Sequence, residues 1–220
     1  MTSPFSARRE IVAIGERLAR TGMVAGTDGN ISVRLEDNRV LITPAGASKG
    51  RLALDDMVIV DLNGQRLQGE RRPSSESAMH LAVYKARPDV NACVHAHPPI
   101  STAFAVAGIA LAEDILPEVV VSVGKIPLID YAPPGTSAVP DSLAPYLNDC
   151  NAFLLRNHGL LTIGSTLEEA YNRHETVEHF AKILQIARSL GPVNRIPHDD
   201  YLRLVKLRED AEGKNSKGKF

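Results

Sequence analysis

The stretch VHAHPP, residues 94–99, constrains the fold more than any other segment of the chain. Its apolar residues predict a β-strand, and side chains two positions apart on a strand point to the same face and rise only about 6.6 Å. His95 and His97 can therefore converge on one point, such as a metal ion. A histidine at a strand end is also often a hydrogen-bonded structural residue, so the pair alone leaves both interpretations open.

Composition narrows the class of protein that carries this pair. The 220 residues, of which 44% are hydrophobic and 23% charged, are typical of one soluble globular domain. The net charge of -1 gives no general attraction for nucleic acid or an anionic membrane, so we expect a small polar ligand as the partner. Two cysteines, no signal-peptide pattern and no apolar run of membrane-spanning length indicate a cytoplasmic protein.

Hydrophobic periodicity predicts helices that alternate with strands. Helices are expected over residues 7–21, 74–87 and 101–108, and a long helix should run from the capping pattern in STLEE to Gly191. Within the second of these helices, Glu76 lies in the first turn.

Strands are expected in the segments ISVRL, VLIT, VNACVHAH and NAFLLRNHG, and a hairpin in MVIVDLNGQRL with Asn63 and Gly64 at its turn. Residues 1–208 should form one domain. Residues 209–220, which contain the lysine-rich end EGKNSKGKF, are expected to be a disordered tail.

Two further residues add to the histidine pair. His158 lies where the apolar run NAFLL ends, beside a glycine that lets the chain turn, and Glu76 opens a helix beside two serines. Three imidazoles in a compact site would bind a divalent metal, most simply zinc, and a carboxylate could complete the site. Glu76 is also the kind of residue that a helix N-terminus favours for its charge alone. The remaining internal histidines are interpreted as packing or surface residues, namely His80, His174 and His179.

Glycine-bearing loops suggest a phosphate site. The segments GTDGN, TPAG and SSES offer backbone N–H groups or hydroxyls of the kind that cradle a phosphate. None is a Walker or dinucleotide-binding motif, and GTDGN follows a helix and precedes a strand, the reverse of the dinucleotide context. Three ordinary turns and a helix cap would give the same pattern.

Taken in order, GTDGNIS, ITPAGASKG, SSESAMHLAVYKARPDVNACVHAHPP and NHGLLTIGSTLEEAYNRHETVEHFAKI resemble the class II aldolase/adducin family, over about residues 8–190. The resemblance implies that His95, His97 and His158 are the metal ligands and that Glu76 is a fourth ligand or the catalytic base. It also implies a pocket for the substrate phosphate, formed by Gly29, Asn30, Gly46, Ser74 and Ser75.

The same resemblance implies an α/β fold: a single domain with a largely antiparallel central sheet packed between helices. It further implies a homotetramer with active sites at subunit interfaces, and a Zn²⁺ cofactor or another divalent metal such as Mn²⁺ or Co²⁺. The implied reaction is the reversible cleavage of a ketose 1-phosphate, resembling fuculose phosphate or a deoxy- or methylthio-ketose phosphate, to dihydroxyacetone phosphate and an aldehyde through a metal-stabilised enediolate.

Alternatives on the same scaffold are a sugar-acid phosphate decarboxylase, a pentulose-phosphate epimerase and a dehydratase. A non-catalytic adducin-like module is disfavoured because the three histidines and Glu76 are all present. The sequence departs from the family's aldolases where Ala45 replaces a serine of the phosphate loop, and where valines fill LPEVVVSVG in place of a catalytic tyrosine. Glu118 and Tyr131 are the candidates for that second acid/base role.

Overall fold

The computed structural model describes residues 3–112 and 114–217, with side chains described as far as residue 213. Within this part of the chain the helices are α1 (Pro4–Arg20), α2 (Ser77–Ala86), α3 (Pro99–Ala107), α4 (Pro117–Ser122), α5 (Ala138–Leu143), α6 (Leu167–Leu190) and α7 (His198–Lys217). The strands are β1 (Asn30–Arg34), β2 (Val40–Ile42), β3 (Val58–Val60), β4 (Arg66–Gln68), β5 (Ala92–Ala96), β6 (Leu128–Ile129), β7 (Ala152–Leu155) and β8 (Gly159–Gly164).

The strands form one sheet in the order β4-β3-β2-β1-β5-β8-β7-β6. Every pairing is antiparallel except that of β6 with β7 at one edge. The central strand β5 pairs with β1 on one side and β8 on the other, so His95 lies opposite Asn30 and Leu161. The predicted α/β fold with a largely antiparallel sheet is confirmed.

Alternating side chains on the strands divide the core between the two faces of the sheet. On one face, alternate residues such as Ile31 and Val94 pack with α1 and the start of α6, while Leu154 and Leu160 pack with α3, α4 and the rest of α6. The other face packs against α2 and α5 through residues such as Cys93. His95 has the same parity as Cys93, so the strand pattern directs it toward the face that α2 covers.

Most predicted elements are observed with small shifts at their ends. The hairpin forms with Gly64 at φ 84°, a conformation that favours glycine, and joins β3 to β4. The long helix α6 begins at the expected capping pattern, where the Thr166 side chain accepts a hydrogen bond from the Glu169 backbone. Helix α2, however, begins at Ser77, so Glu76 is its N-cap residue and not part of its first turn. The Glu76 side chain is thereby free to point away from the helix.

Three segments differ from the expected pattern. LPEVVVSVG contains the short helix α4, and the apolar residues after His158 form strand β8, which no predicted element covered. Helix α7 extends through the first nine residues of the segment expected to be a disordered tail, so residues 209–217 are helical. Residues 218–220 of that segment lie outside the described residues. In the described part of the chain, every helix is too short or too polar to cross a membrane.

Candidate metal centre

The three predicted histidine ligands converge on one point beside the sheet. His95 lies on β5, His97 follows its end, and His158 lies in the turn between β7 and β8. One ring nitrogen from each lies within 4.8 Å of the other two. The antiparallel pairing of β5 with β8 brings the end of the first strand next to the start of the second, which explains why residues 95 and 158 meet.

Hydrogen bonds of the rings fix which nitrogens face the centre. Nδ1 of His95 lies 2.9 Å from the Leu160 carbonyl, so it must carry the proton and leave Nε2 as a lone pair. Nδ1 of His97 lies 3.6 Å from the Asp28 carboxylate, and its Nε2 lies 3.2 Å from Nε2 of His95. Outer contacts of this kind commonly orient histidines that bind metals.

This geometry fits a divalent cation. Two nitrogens bound to one tetrahedral zinc at about 2.0–2.1 Å are separated by about 3.3 Å, close to the distance between the two Nε2 atoms. Burial lowers the pKa of both His95 and His97, so the rings are neutral at physiological pH, as metal ligands must be. The donor set therefore suits a metal with imidazole ligands.

Glu76 supplies the carboxylate at this centre. Its Oε1 lies 2.8 Å from Nε2 of His158, and its Oε2 lies 3.4 Å from Nε2 of His95 and accepts a hydrogen bond of 2.8 Å from the Asn30 amide. Burial would raise the pKa of Glu76, but the contacts with His158, His95 and Asn30 outweigh it and lower the pKa. The carboxylate is therefore ionised, the form that a metal ligand and a general base both require.

The residues predicted to bind phosphate lie in two loops and a helix start. Gly29 and Gly46 adopt positive φ, at 76° and 68°. Ser74 is buried and its hydroxyl accepts from the Glu76 backbone, whereas Ser75 is exposed. The Asn30 side chain is buried and bonded to Glu76 and His80, so its amide group is already engaged.

Lys49 and His80 are two buried polar residues that the sequence interpretation did not assign to the site. Lys49 Nζ donates to the carbonyls of Thr27 and Ala47, which ties the GTDGN and TPAGASKG loops together, and burial lowers its pKa to about 8. His80 is fully buried against Asn30. The signal for His80 was its spacing, since it lies four residues after Glu76 on α2 and so on the same helix face.

The proposed second acid/base residues lie on the surface. Glu118 is exposed in the first turn of α4, and the Tyr131 side chain is 57% exposed in the loop after β6. Val119 and Val120 lie on α4, in the segment where the family's aldolases have a tyrosine, and both are fully buried. The roles of Glu118 and Tyr131 stay predictions.

Comparison with protein families adds a match to the model for the class II aldolase and adducin N-terminal domain over residues 9–185. The chain belongs to this family. It is 38% identical over 182 residues to 3-oxo-tetronate 4-phosphate decarboxylase of Haemophilus influenzae, which covers 80% of this chain and 86% of that protein. It is also 39% identical over 183 residues to L-fuculose phosphate aldolase of Methanococcus vannielii, with 82% and 97% covered.

Solved structures of the class II aldolase family share the fold. An L-fuculose 1-phosphate aldolase superposes with a TM-score of 0.85 at 32% identity, covering 94% of this chain and 97% of that one. The family resemblance carried by the motifs is thus confirmed. Relatives of nearly equal similarity are named for two different reactions, carbon–carbon cleavage and decarboxylation, so family membership defines a class of enzymes and leaves the particular reaction open.

Proposed function

We propose that this protein is a metal-dependent aldolase that reversibly cleaves a ketose 1-phosphate to dihydroxyacetone phosphate and an aldehyde. The observation that carries the proposal is the convergence of His95, His97 and His158 with the carboxylate of Glu76 at one point beside the sheet. When bound there, a divalent cation, for which we propose Zn²⁺, supplies an electrophile that stabilises negative charge on the substrate oxygens.

Glu76 is the proposed proton-transfer residue. In the direction of condensation, it takes a proton from the hydroxymethyl carbon of dihydroxyacetone phosphate. The electron pair left on that carbon forms the new bond to the aldehyde carbon, and the C=O π pair moves onto the aldehyde oxygen. That oxygen takes a proton from the second acid/base group, for which Glu118 and Tyr131 are the candidates. Asn30 holds Oε2 of the carboxylate during this transfer, which leaves Oε1 on the side of His158.

The phosphate is proposed to bind at the loops of Gly29, Gly46, Ser74 and Ser75, with Asn30 contributing its backbone only. Positive φ at the two glycines and the exposed Ser75 support this assignment. Lys49 supports it as well, because its two hydrogen bonds hold the glycine loops against each other.

A second candidate is a decarboxylase of a 3-oxo sugar-acid phosphate. The relative named for that reaction is as similar to this chain as the relative named for aldol cleavage. The buried valines of α4 also favour the decarboxylase, because they stand in the segment where the aldolases have a catalytic tyrosine. Both reactions develop charge on a similar carbon atom, so the metal ligands alone do not separate them.

One experiment distinguishes the two candidates. The protein is stripped with a chelator, reloaded with Zn²⁺, Mn²⁺ or Co²⁺, and incubated either with dihydroxyacetone phosphate and a panel of small aldehydes or with 3-oxo-tetronate 4-phosphate. Formation of a ketose 1-phosphate supports the aldolase. Release of carbon dioxide without any aldol product would refute the aldolase and support the decarboxylase. A His97→Ala variant serves as the inactive control.

The native assembly is proposed to be a cytoplasmic homotetramer with active sites at subunit interfaces. Large apolar side chains are exposed on the neighbouring helices α3 and α6, among them Val106, Ile186 and Leu190, as expected of surfaces that bind another subunit. Light scattering of the purified protein measures the mass directly, and a monomer at micromolar concentration would refute the tetramer.

A further inference from the structure

A buried series of hydrogen bonds runs from Glu76 into the core under α2. Glu76 Oε2 accepts from Asn30 Nδ2 at 2.8 Å, and Asn30 Oδ1 lies 2.5 Å from His80 Nε2. His80 Nδ1 lies 2.7 Å from the Ser32 hydroxyl, which in turn lies 2.7 Å from the Tyr84 hydroxyl. We call these five residues the Glu76 network.

The network has one direction when the carboxylate is ionised. Asn30 must present its N–H₂ to Glu76, so its carbonyl oxygen faces His80 and requires a proton on Nε2. Nδ1 of His80 is then a lone pair that accepts from the Ser32 hydroxyl. Ser32 in turn accepts from the Tyr84 hydroxyl. Each side chain of the network has a hydrogen-bond partner, and each hydrogen bond is donated in the direction of Glu76.

His80 therefore stabilises the Asn30 orientation that the ionised carboxylate requires. An amide side chain can rotate by half a turn and exchange its oxygen and nitrogen at little cost in shape. Here the rotated amide would set its N–H₂ against the N–H of His80 and its oxygen against the carboxylate oxygen. Both contacts are repulsive, so the carboxylate of Glu76 and the protonated Nε2 of His80 together disfavour that rotamer.

We propose that His80 is a positioning residue of the active site, acting through Asn30 to hold the Glu76 carboxylate in the orientation needed for metal binding and proton transfer. The inference rests on the proposed function, because it concerns the same centre. His80 itself is completely buried by α2 and β1, so it acts on the centre only through the amide.

The elements support this assignment. Asn30 and Ser32 are two residues apart on β1 and face α2, while Glu76, His80 and Tyr84 are each four residues apart on or next to α2. Side chains two residues apart on a strand, and side chains four residues apart on a helix, lie on one face of that element. The polar face of β1 therefore contacts the polar face of α2. A buried polar stripe would be costly unless all its groups were paired, as they are here.

Two substitutions separate positioning from simple packing. In His80→Gln the terminal amide nitrogen reaches the place of Nε2 and keeps the donor toward Asn30. In His80→Asn the shorter amide reaches only the place of Nδ1, so it keeps the hydrogen bond with Ser32 and loses the one with Asn30. Both variants shrink a buried side chain and keep one polar contact, and urea denaturation of each measures the part of the change that packing causes.

The test measures the affinity of the metal-free full-length protein and both variants for Zn²⁺ by competition with a chromogenic chelator, with circular dichroism to verify folding. His80→Asn should bind Zn²⁺ about 10- to 100-fold more weakly, the usual effect of losing an outer contact of a metal site. His80→Gln should remain within about three-fold of the wild type, and turnover of the zinc-loaded enzymes should follow the same order with KM little changed.

Equal affinity of the wild type and a folded His80→Asn variant would overturn the proposal, as would equal losses in both variants, which indicate packing alone. If His80→Asn does not fold, the imidazole nitrogen spectrum of the wild-type protein decides, because the proposal requires a proton on Nε2 of His80 and none on Nδ1. Failure of the wild type itself to bind Zn²⁺, Mn²⁺ or Co²⁺ would instead refute the proposed function.

Discussion

At the scale of single residues, Gly29 makes a close backbone approach to the strand that carries His95. A Cβ added there would lie 2.6 Å from the carbonyl oxygen of His95, and the residue has φ 76°, which side chains rarely tolerate. The sequence motif GTDGN predicted a glycine-bearing loop at this place. It did not reveal that the turn touches the strand that carries His95.

We expect Gly29→Ala to destabilise the protein and to move His95 out of the metal centre. The backbone strain costs about 1 kcal/mol, and the clash with the His95 carbonyl adds to that cost because β5 is held on both sides by the sheet. Urea denaturation and zinc titration measure the two effects.

Gly26→Ala is the matched control for this change. Gly26 also has positive φ, at 54°, but a Cβ added there meets no atom within 4 Å among the described residues. It should therefore show the strain alone and bind zinc as the wild type does. Equal losses of stability and of zinc affinity in the two variants would contradict the explanation by close approach.

At the scale of elements, the start of α3 is anchored by a carboxylate from α6. Glu178 accepts hydrogen bonds from the backbone N–H groups of Ile100 and Ser101 and from the Ser101 hydroxyl, each at 2.8 Å. The first N–H groups of a helix have no partner inside the helix, so an acidic side chain there is favourable. Because α3 begins two residues after His97, this contact also holds the chain that leaves the metal centre.

Glu178→Ala is expected to lower the free energy of unfolding by about 2 kcal/mol or more, because it leaves the buried Ser101 hydroxyl and two helical N–H groups without their acceptor. Chemical denaturation measures this loss. His179→Ala changes an exposed residue of the same helix and should have little effect. A comparable loss in both variants would show that the effect comes from α6 itself and not from the contact with α3.

Element positions were largely predictable, whereas the pairing of elements was not. The helix pattern before Gly22, the turn at Gly64 and the capping pattern at Thr166 are local signals, and each marks an observed boundary or turn. The strand β8 was missed because GLLTIG is a short apolar run without alternation, which is typical of a strand buried on both faces and of a helix segment alike.

At the scale of the whole molecule, neutral imidazoles are buried in the core. His174 on α6 is fully buried, its Nδ1 lies 3.1 Å from the Thr162 hydroxyl, and its Nε2 has no hydrogen-bond partner among the described residues. Burial lowers the pKa of His174 to about 3 and that of His80 to about 4. Both rings must therefore stay uncharged for the native state to persist.

The metal-free protein should lose stability as the pH falls below about 6.5, the pKa of an unfolded histidine. Below that pH the unfolded chain binds a proton at residue 174 that the native state does not bind until about pH 3, so acid favours unfolding. At pH 4.5 this single residue should account for about 3 kcal/mol of the loss relative to pH 7.5, as an order of magnitude.

His174→Asn provides the comparison, since its amide can replace Nδ1 as a donor to Thr162 and does not titrate. Between pH 7.5 and 4.5 the wild type should lose about 3 kcal/mol more unfolding free energy than this variant loses. Urea denaturation with a chelator present measures the unfolding free energy of both proteins. A difference that stays constant with pH would refute the assignment to His174.

The sequence by itself determined the local structure and the chemical groups: the helices and most strands, the glycine-bearing loops, and the pair His95 and His97, whose spacing of two at the end of a strand places both rings on one face. Only the tertiary structure decided which distant residues meet. Asn30 and Glu76 are 46 positions apart, and His158 is farther from both, so their contact depends on the strand order β1-β5-β8 and on where α2 crosses the sheet. Local periodicity encodes which face a side chain takes, but not which strand becomes its neighbour, because that choice depends on the packing of the whole core.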